Sequence, residues 1–73
     1  MWEWERDLEG IRSDGWSYAY AETVDWDTGR HVWLVEIARH GVMYKVARPT
    51  IEEAVEVVYD FVEDSESGIN NFH

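Results

Sequence analysis

The stretch GWSYAYAETVDWDTGRHVWLVEIARHGVMYKVAR, Gly15 to Arg48, decides the fold. Trp16, Tyr18 and Tyr20 alternate with Ser17, Ala19 and Ala21, the period-two pattern of a strand that turns one face to a core. The segment DWDTG, Asp25 to Gly29, is turn chemistry closed by glycine. HVWLVEIA, His31 to Ala38, is rich in β-branched and aromatic residues and reads as a second strand. His40-Gly41 suits a two-residue hairpin turn, and VMYKVAR, Val42 to Arg48, is the third strand.

The two turns predict a register that can be checked for consistency. A two-residue turn at His40-Gly41 sets Ile37 opposite Tyr44, Val35 opposite Val46 and Glu36 opposite Lys45. Pairing Asp25 with Arg30 sets Tyr20 opposite Val35 and Tyr18 opposite Ile37. One face then carries Trp16, Tyr18, Tyr20, Trp33, Val35, Ile37, Val42, Tyr44 and Val46. The other carries small and mildly polar residues, with Val32, Leu34 and Met43 among several alanines. Both hairpins name the same apolar face, and a slip of one residue in either would destroy that agreement.

A helix should follow. Pro49 ends the third strand, and Thr50 with Glu53 forms a capping box that makes Thr50 the N-cap. Ile51, Ala54, Val55, Val58, Phe61 and Val62 share one side of this helix and should cover the aromatic face of the sheet. Before Gly15, the spacing of Trp4, Leu8 and Ile11 suits a short amphipathic helix that frays or ends at Gly10 or Gly15. The alternation of WEWE would equally suit a strand. The expected fold is α+β: a three-stranded antiparallel sheet with a C-terminal helix on one face and a short N-terminal helix, in the order α-β-β-β-α. Residues 1–66 form a single domain in this reading, with 67–73 as a mobile tail to which Phe72 belongs.

Composition narrows the function. At 73 residues the chain holds one small domain, and without cysteine its stability must come from packing of five Trp, four Tyr and two Phe. No apolar run spans a bilayer, and MWEWERDLEG lacks the basic-then-apolar order of a secretory signal, so the expected location is cytoplasmic. The net charge of −10 disfavours nucleic acid or anionic lipid as a direct ligand and favours a basic partner. That charge is uneven: residues 1–29 carry −6, residues 30–48 carry +3, and residues 49–73 carry −7.

Most of the last term lies on the closing helix. Glu52, Glu53, Glu56, Asp60, Glu63 and Asp64 fall within an arc of roughly 120° opposite its apolar side. Glu52–Glu56, Glu56–Asp60 and Asp60–Asp64 are like-charged i, i+4 pairs, each unfavourable by about 0.2–0.5 kcal/mol. Read as the helix's last turn, Glu63 and Asp64 also oppose its dipole. Such an arrangement is either a solvated face kept for solubility or a ridge kept for recognition by a basic groove. In the second case Glu52, Glu56, Asp60, Glu63 and Asp64 form the ridge, Glu53 is partly committed to the cap, and Asp25 and Asp27 extend the negative surface.

Other chemistry is weakly represented. Asp25, Asp27, Gly29 and Glu36 echo part of a calcium loop, but the glycine is one place off and a strand occupies the second half. His31, His40 and His73 show no metal-ligand spacing, and Ser13, Ser17, Ser65 and Ser67 sit in no nucleophile motif. The reading is a non-enzyme without cofactor or metal. The bare sheet face with Val32, Leu34 and Met43 offers a different use, as the joint of a homodimer or of a small assembly domain. Trp2 falls on the opposite side of the first helix from Trp4, either exposed or as an anchor.

The element order resembles the double-stranded-RNA-binding domain, but the place where that family carries a lysine-rich phosphate grip reads RPTIEE. The likeness therefore stops at layout. With its size, its acidic turn DWD and the segment TIEEAVEVVYDFVED, the chain also resembles small phage-encoded inhibitors of the anti-CRISPR and DNA-mimic type. That resemblance implies carboxylates standing in for phosphates in the Arg/Lys groove of a nucleic-acid-binding effector, such as a CRISPR-Cas or restriction protein.

Overall fold

The computed structural model describes residues 2–70, with side chains described over 2–65. Its elements are α1 (Glu3–Ser13), β1 (Ser17–Val24), β2 (His31–Arg39), β3 (Val42–Arg48) and α2 (Ile51–Asn70). The three strands form an antiparallel meander in the order β1-β2-β3. The architecture is α+β with the expected α-β-β-β-α order.

The register is the one the two turns dictate. Tyr18 lies opposite Ile37, Tyr20 opposite Val35, Ile37 opposite Tyr44, and Val35 opposite Val46. At the first turn the Asp25 N–H donates to the Arg30 carbonyl at 2.9 Å. At the second, His40 and Gly41 both adopt positive φ, 52° and 81°. That is the primed geometry that matches strand twist, and Gly41 meets it without steric cost.

The stretch before Gly15 is a helix, which removes the strand alternative for WEWE. Glu5 Oε1 accepts from the Trp2 N–H at 3.0 Å, closing the helix start. Gly10 lies inside α1 rather than at its end. The stop is at Gly15, whose φ of 96° reverses the chain while its N–H donates to the Arg12 carbonyl. The reason α1 forms is packing: Leu8 and Ile11 are each 1% exposed and belong to the core. An 11-residue helix needs such burial to persist.

Both helices lie on the aromatic side of the sheet. α2 covers β2 and β3, while α1 packs beside α2 and over the start of β1. Ile51, Ala54, Val55, Val58 and Val62 are buried with Val35, Ile37, Val46 and Trp16 in one core. Phe61 stacks flat on Tyr44, with ring centroids 4.0 Å apart, and meets Trp16 edge-on at 6.2 Å. Trp4 meets Tyr20 edge-on at 5.5 Å. The Arg39 guanidinium lies over the Trp16 ring at 4.5 Å from its centroid. Thr50 Oγ1 accepts from the Glu53 N–H at 3.2 Å, as the capping box requires.

α2 continues through Asn70, into the stretch read from sequence as a tail; residues 71–73, Phe72 included, lie outside the described residues. Glu63 and Asp64 are consequently mid-helix, more than a turn from its end. The dipole acts within the last turn, so the expected opposition at these two residues does not apply. Among the described residues no helix is long and apolar enough to cross a membrane.

Candidate functional site

The carboxylates of α2 are where the wheel puts them. Glu52, Glu53, Glu56, Asp60, Glu63 and Asp64 are all exposed. Among the described residues no cation forms an ion pair with any of them; elsewhere His31 contacts Glu22, and Lys45 pairs with Glu36 at 3.5 Å. From Glu52 to Asp64 the helix rises about 18 Å and carries six carboxylates at uneven axial steps of about 1.5 to 6 Å.

The ridge is divided by α1. Glu52 and Glu56 border a hollow whose other wall is Glu3, Trp4 and Asp7. One end further along, Tyr59, Val62 and Glu63 border a hollow shared with Gly10, Ile11, Ser13 and Asp14. The early residues of α1 thus meet the early residues of α2, and the late meet the late, so the helices run in the same direction. Between them lies a valley with carboxylates on both banks: Glu3, Asp7 and Asp14 on one, Glu52, Glu56 and Glu63 on the other. Glu53, Asp60 and Asp64 face away from α1, on the outer flank of α2.

Tyr59 senses this valley. Its phenol is raised above the ordinary tyrosine pKa, first by the charge of Glu63, then by desolvation, a hydrogen bond to Glu63, and the charges of Asp7 and Asp14. Tyr18 is raised as well, chiefly by desolvation and then by Glu9, whose Oε1 accepts from its hydroxyl at 3.3 Å.

Asp25 and Asp27 border neither hollow. They sit at the tip of the β1–β2 hairpin, where Asp25 Oδ1 accepts from the N–H groups of Asp27 and Thr28 at 2.8 and 3.3 Å. The structure brings Glu52, Glu56 and Glu63 together with the α1 acids, and the turn acids sit on a separate element, the β1–β2 hairpin.

Glu3, Asp7 and Asp14 carry a signal that the sequence reading passed over. They recur at i, i+4 and i+11, a stripe beside the Trp4-Leu8-Ile11 stripe. Which flank of α1 meets α2 is a tertiary fact, and the sequence alone does not give it. The turn chemistry of DWDTG likewise carries no signal that sets Trp26 apart.

The other sheet face is uncovered. Met43 is 62% exposed, Val32, Leu34 and Ala38 are half-buried, and Ala19, Ala21 and Ala47 are exposed. The Glu36–Lys45 pair crosses its middle. Among the described residues no group of three or more His, Asp or Glu side chains converges as metal ligands would. Comparison with known proteins finds no matching family model, no similar curated protein and no similar solved structure.

Proposed function

We propose that this chain is a non-enzymatic inhibitor that presents nucleic-acid-like charge to a basic protein and blocks its nucleic-acid-binding groove. The effector would be of the CRISPR-Cas or restriction type, and the chain would belong with the phage-encoded inhibitors it resembles. The observation that supports the reading is the run of six exposed carboxylates along about 18 Å of α2, without cationic partners among the described residues. The bank formed by Glu3, Asp7 and Asp14 supplies a second line of charge beside the first. Charge of this kind gives fast, salt-sensitive association more than raw affinity.

The test has two stages. Proteins from a host lysate are captured at low and high salt, and each captured nucleic-acid-binding protein is then assayed for DNA binding with the chain as competitor. Competition that weakens steeply with salt, and disappears with the double substitution Glu56→Lys and Asp60→Lys, is the expected result. Unchanged competition by that variant removes the ridge from the mechanism.

The uncovered sheet face favours a second reading, a small assembly domain that pairs through it and uses its acid for solubility. Leu34→Glu or Met43→Glu would then abolish association, measured by light scattering, while helix charge reversals would have little effect.

A further inference from the structure

Among the described residues the most exposed large hydrophobic side chain is an aromatic one. Trp26 is 98% exposed, at the tip of the β1–β2 hairpin. Burial of an indole is worth several kcal/mol, so a tryptophan left wholly in water is a standing source of binding energy. Among the described residues nothing covers it. α1 begins near Tyr20, which Trp4 touches, and Ala21–Val24 beyond that point are exposed. Pairing with β3 ends at Trp33, opposite Glu22, and the three residues from Glu22 to Asp25 carry the tip about 10 Å beyond it.

The tip is also fixed. Asp25 receives backbone N–H groups from Asp27 and Thr28 on its carboxylate and from Gly29 on its carbonyl, the last at 2.8 Å. Thr28 Oγ1 accepts from the Arg30 N–H at 3.2 Å. The indole is therefore presented from a closed turn, with a carboxylate on either side of it in sequence. Arg30 is the local cation, and among the described residues it makes no ion pair with Asp25 or Asp27.

We infer that Trp26, with Asp25 and Asp27, is a second contact point that takes a cationic side chain, arginine or lysine, from a basic protein segment. The guanidinium or ammonium lies across the indole face and the two carboxylates neutralise it. The same stack already occurs inside the protein, where Arg39 covers Trp16. The inference shares with the helical reading only the sign of the partner's charge. It concerns a separate surface and stands or falls by itself.

The probe is a short oligo-arginine peptide added at low salt to the full chain. The readouts are the Trp26 indole N–H resonance, assigned by Trp26→Phe, and the Thr28 and Gly29 amides. The expected result is a saturable shift at all three, with affinity at the tip falling about 3- to 30-fold in Trp26→Leu and largely kept in Trp26→Tyr. Leucine keeps apolar surface and removes the π-face, so equal affinity in Trp26→Leu overturns the inference. A Trp26 indole that does not move while the α2 amides do also overturns it and leaves the helical reading standing. Movement at the tip with still α2 amides does the reverse. A shift produced by single-stranded oligothymidylate in place of the peptide assigns the indole to base stacking and overturns the proposal as well.

Discussion

Glu63 stands one turn after Tyr59 on α2, and its carboxylate holds the proton on the Tyr59 phenol. Asp7 and Asp14 on α1 act in the same direction across the valley. The folded phenol therefore releases its proton at a higher pH than the unfolded one. The contribution to stability is complete below the ordinary tyrosine pKa of about 10 and is lost as pH rises from there through the raised folded value. NMR titration should place Tyr59 above the ordinary tyrosine value at low salt. Because charge is the leading cause, Glu63→Gln or high salt should bring it down. A Tyr59 that ignores both would mean the valley has no such field.

Asp60 has like-charged neighbours at both i, i+4 positions, Glu56 and Asp64. Asp60→Lys converts two repulsions of about 0.2–0.5 kcal/mol into attractions of similar size, so the domain should gain about 1 kcal/mol. Urea unfolding at low salt should show a higher midpoint with unchanged slope, and the gain should shrink in high salt. On the proposed function the same substitution weakens partner binding. A change that stabilises the fold while harming recognition would identify the charge as functional.

Ile37 is fully enclosed at the centre of β2, and Leu8 is 1% exposed on α1. Either residue changed to alanine should cost about 2–5 kcal/mol. A 73-residue domain has about 4–11 kcal/mol in all, so each variant should lose a large fraction of its stability and unfold at a markedly lower urea midpoint. Leu8→Ala is the sharper test, because a small effect would mean α1 is not part of the cooperative unit.

Gly41 has a φ of 81° in the β2–β3 turn. An open space surrounds it, with nothing within 4 Å of an added Cβ, so the cost of Gly41→Ala is conformational rather than steric. That cost should be about 1 kcal/mol. His40→Asn at the preceding position should raise stability, since asparagine tolerates positive φ better. Thermal melts of the two variants should move in opposite directions.

The sheet was legible before any coordinates because its constraints are local and redundant. Two turns, each with its own residues, independently demanded the same apolar face, and Tyr18 opposite Ile37 and Glu36 opposite Lys45 follow from them. The start of α2 was legible for a similar reason: Pro49, Thr50 and Glu53 specify it within a few residues. The extent of α2 was not. Gly68 and the polar residues around it read as a tail, yet the helix runs through Asn70. Propensity is a weak prior there, outweighed by continuation of a helix already nucleated and packed.

Sequence by itself determined the sign of the surface, the register of the strands and the side of α2 that carries acid, because each depends on a period of two or 3.6 residues along one segment. Only the tertiary structure decided that α1 runs beside α2 in the same direction and sets Glu3, Asp7 and Asp14 across from Glu52, Glu56 and Glu63. It also decided that Asp25, Trp26 and Asp27 border neither hollow and sit on a projecting hairpin. The physical reason is that helix-on-helix placement follows from how Leu8, Ile11, Val58 and Val62 share one core, and no periodicity within either helix specifies that.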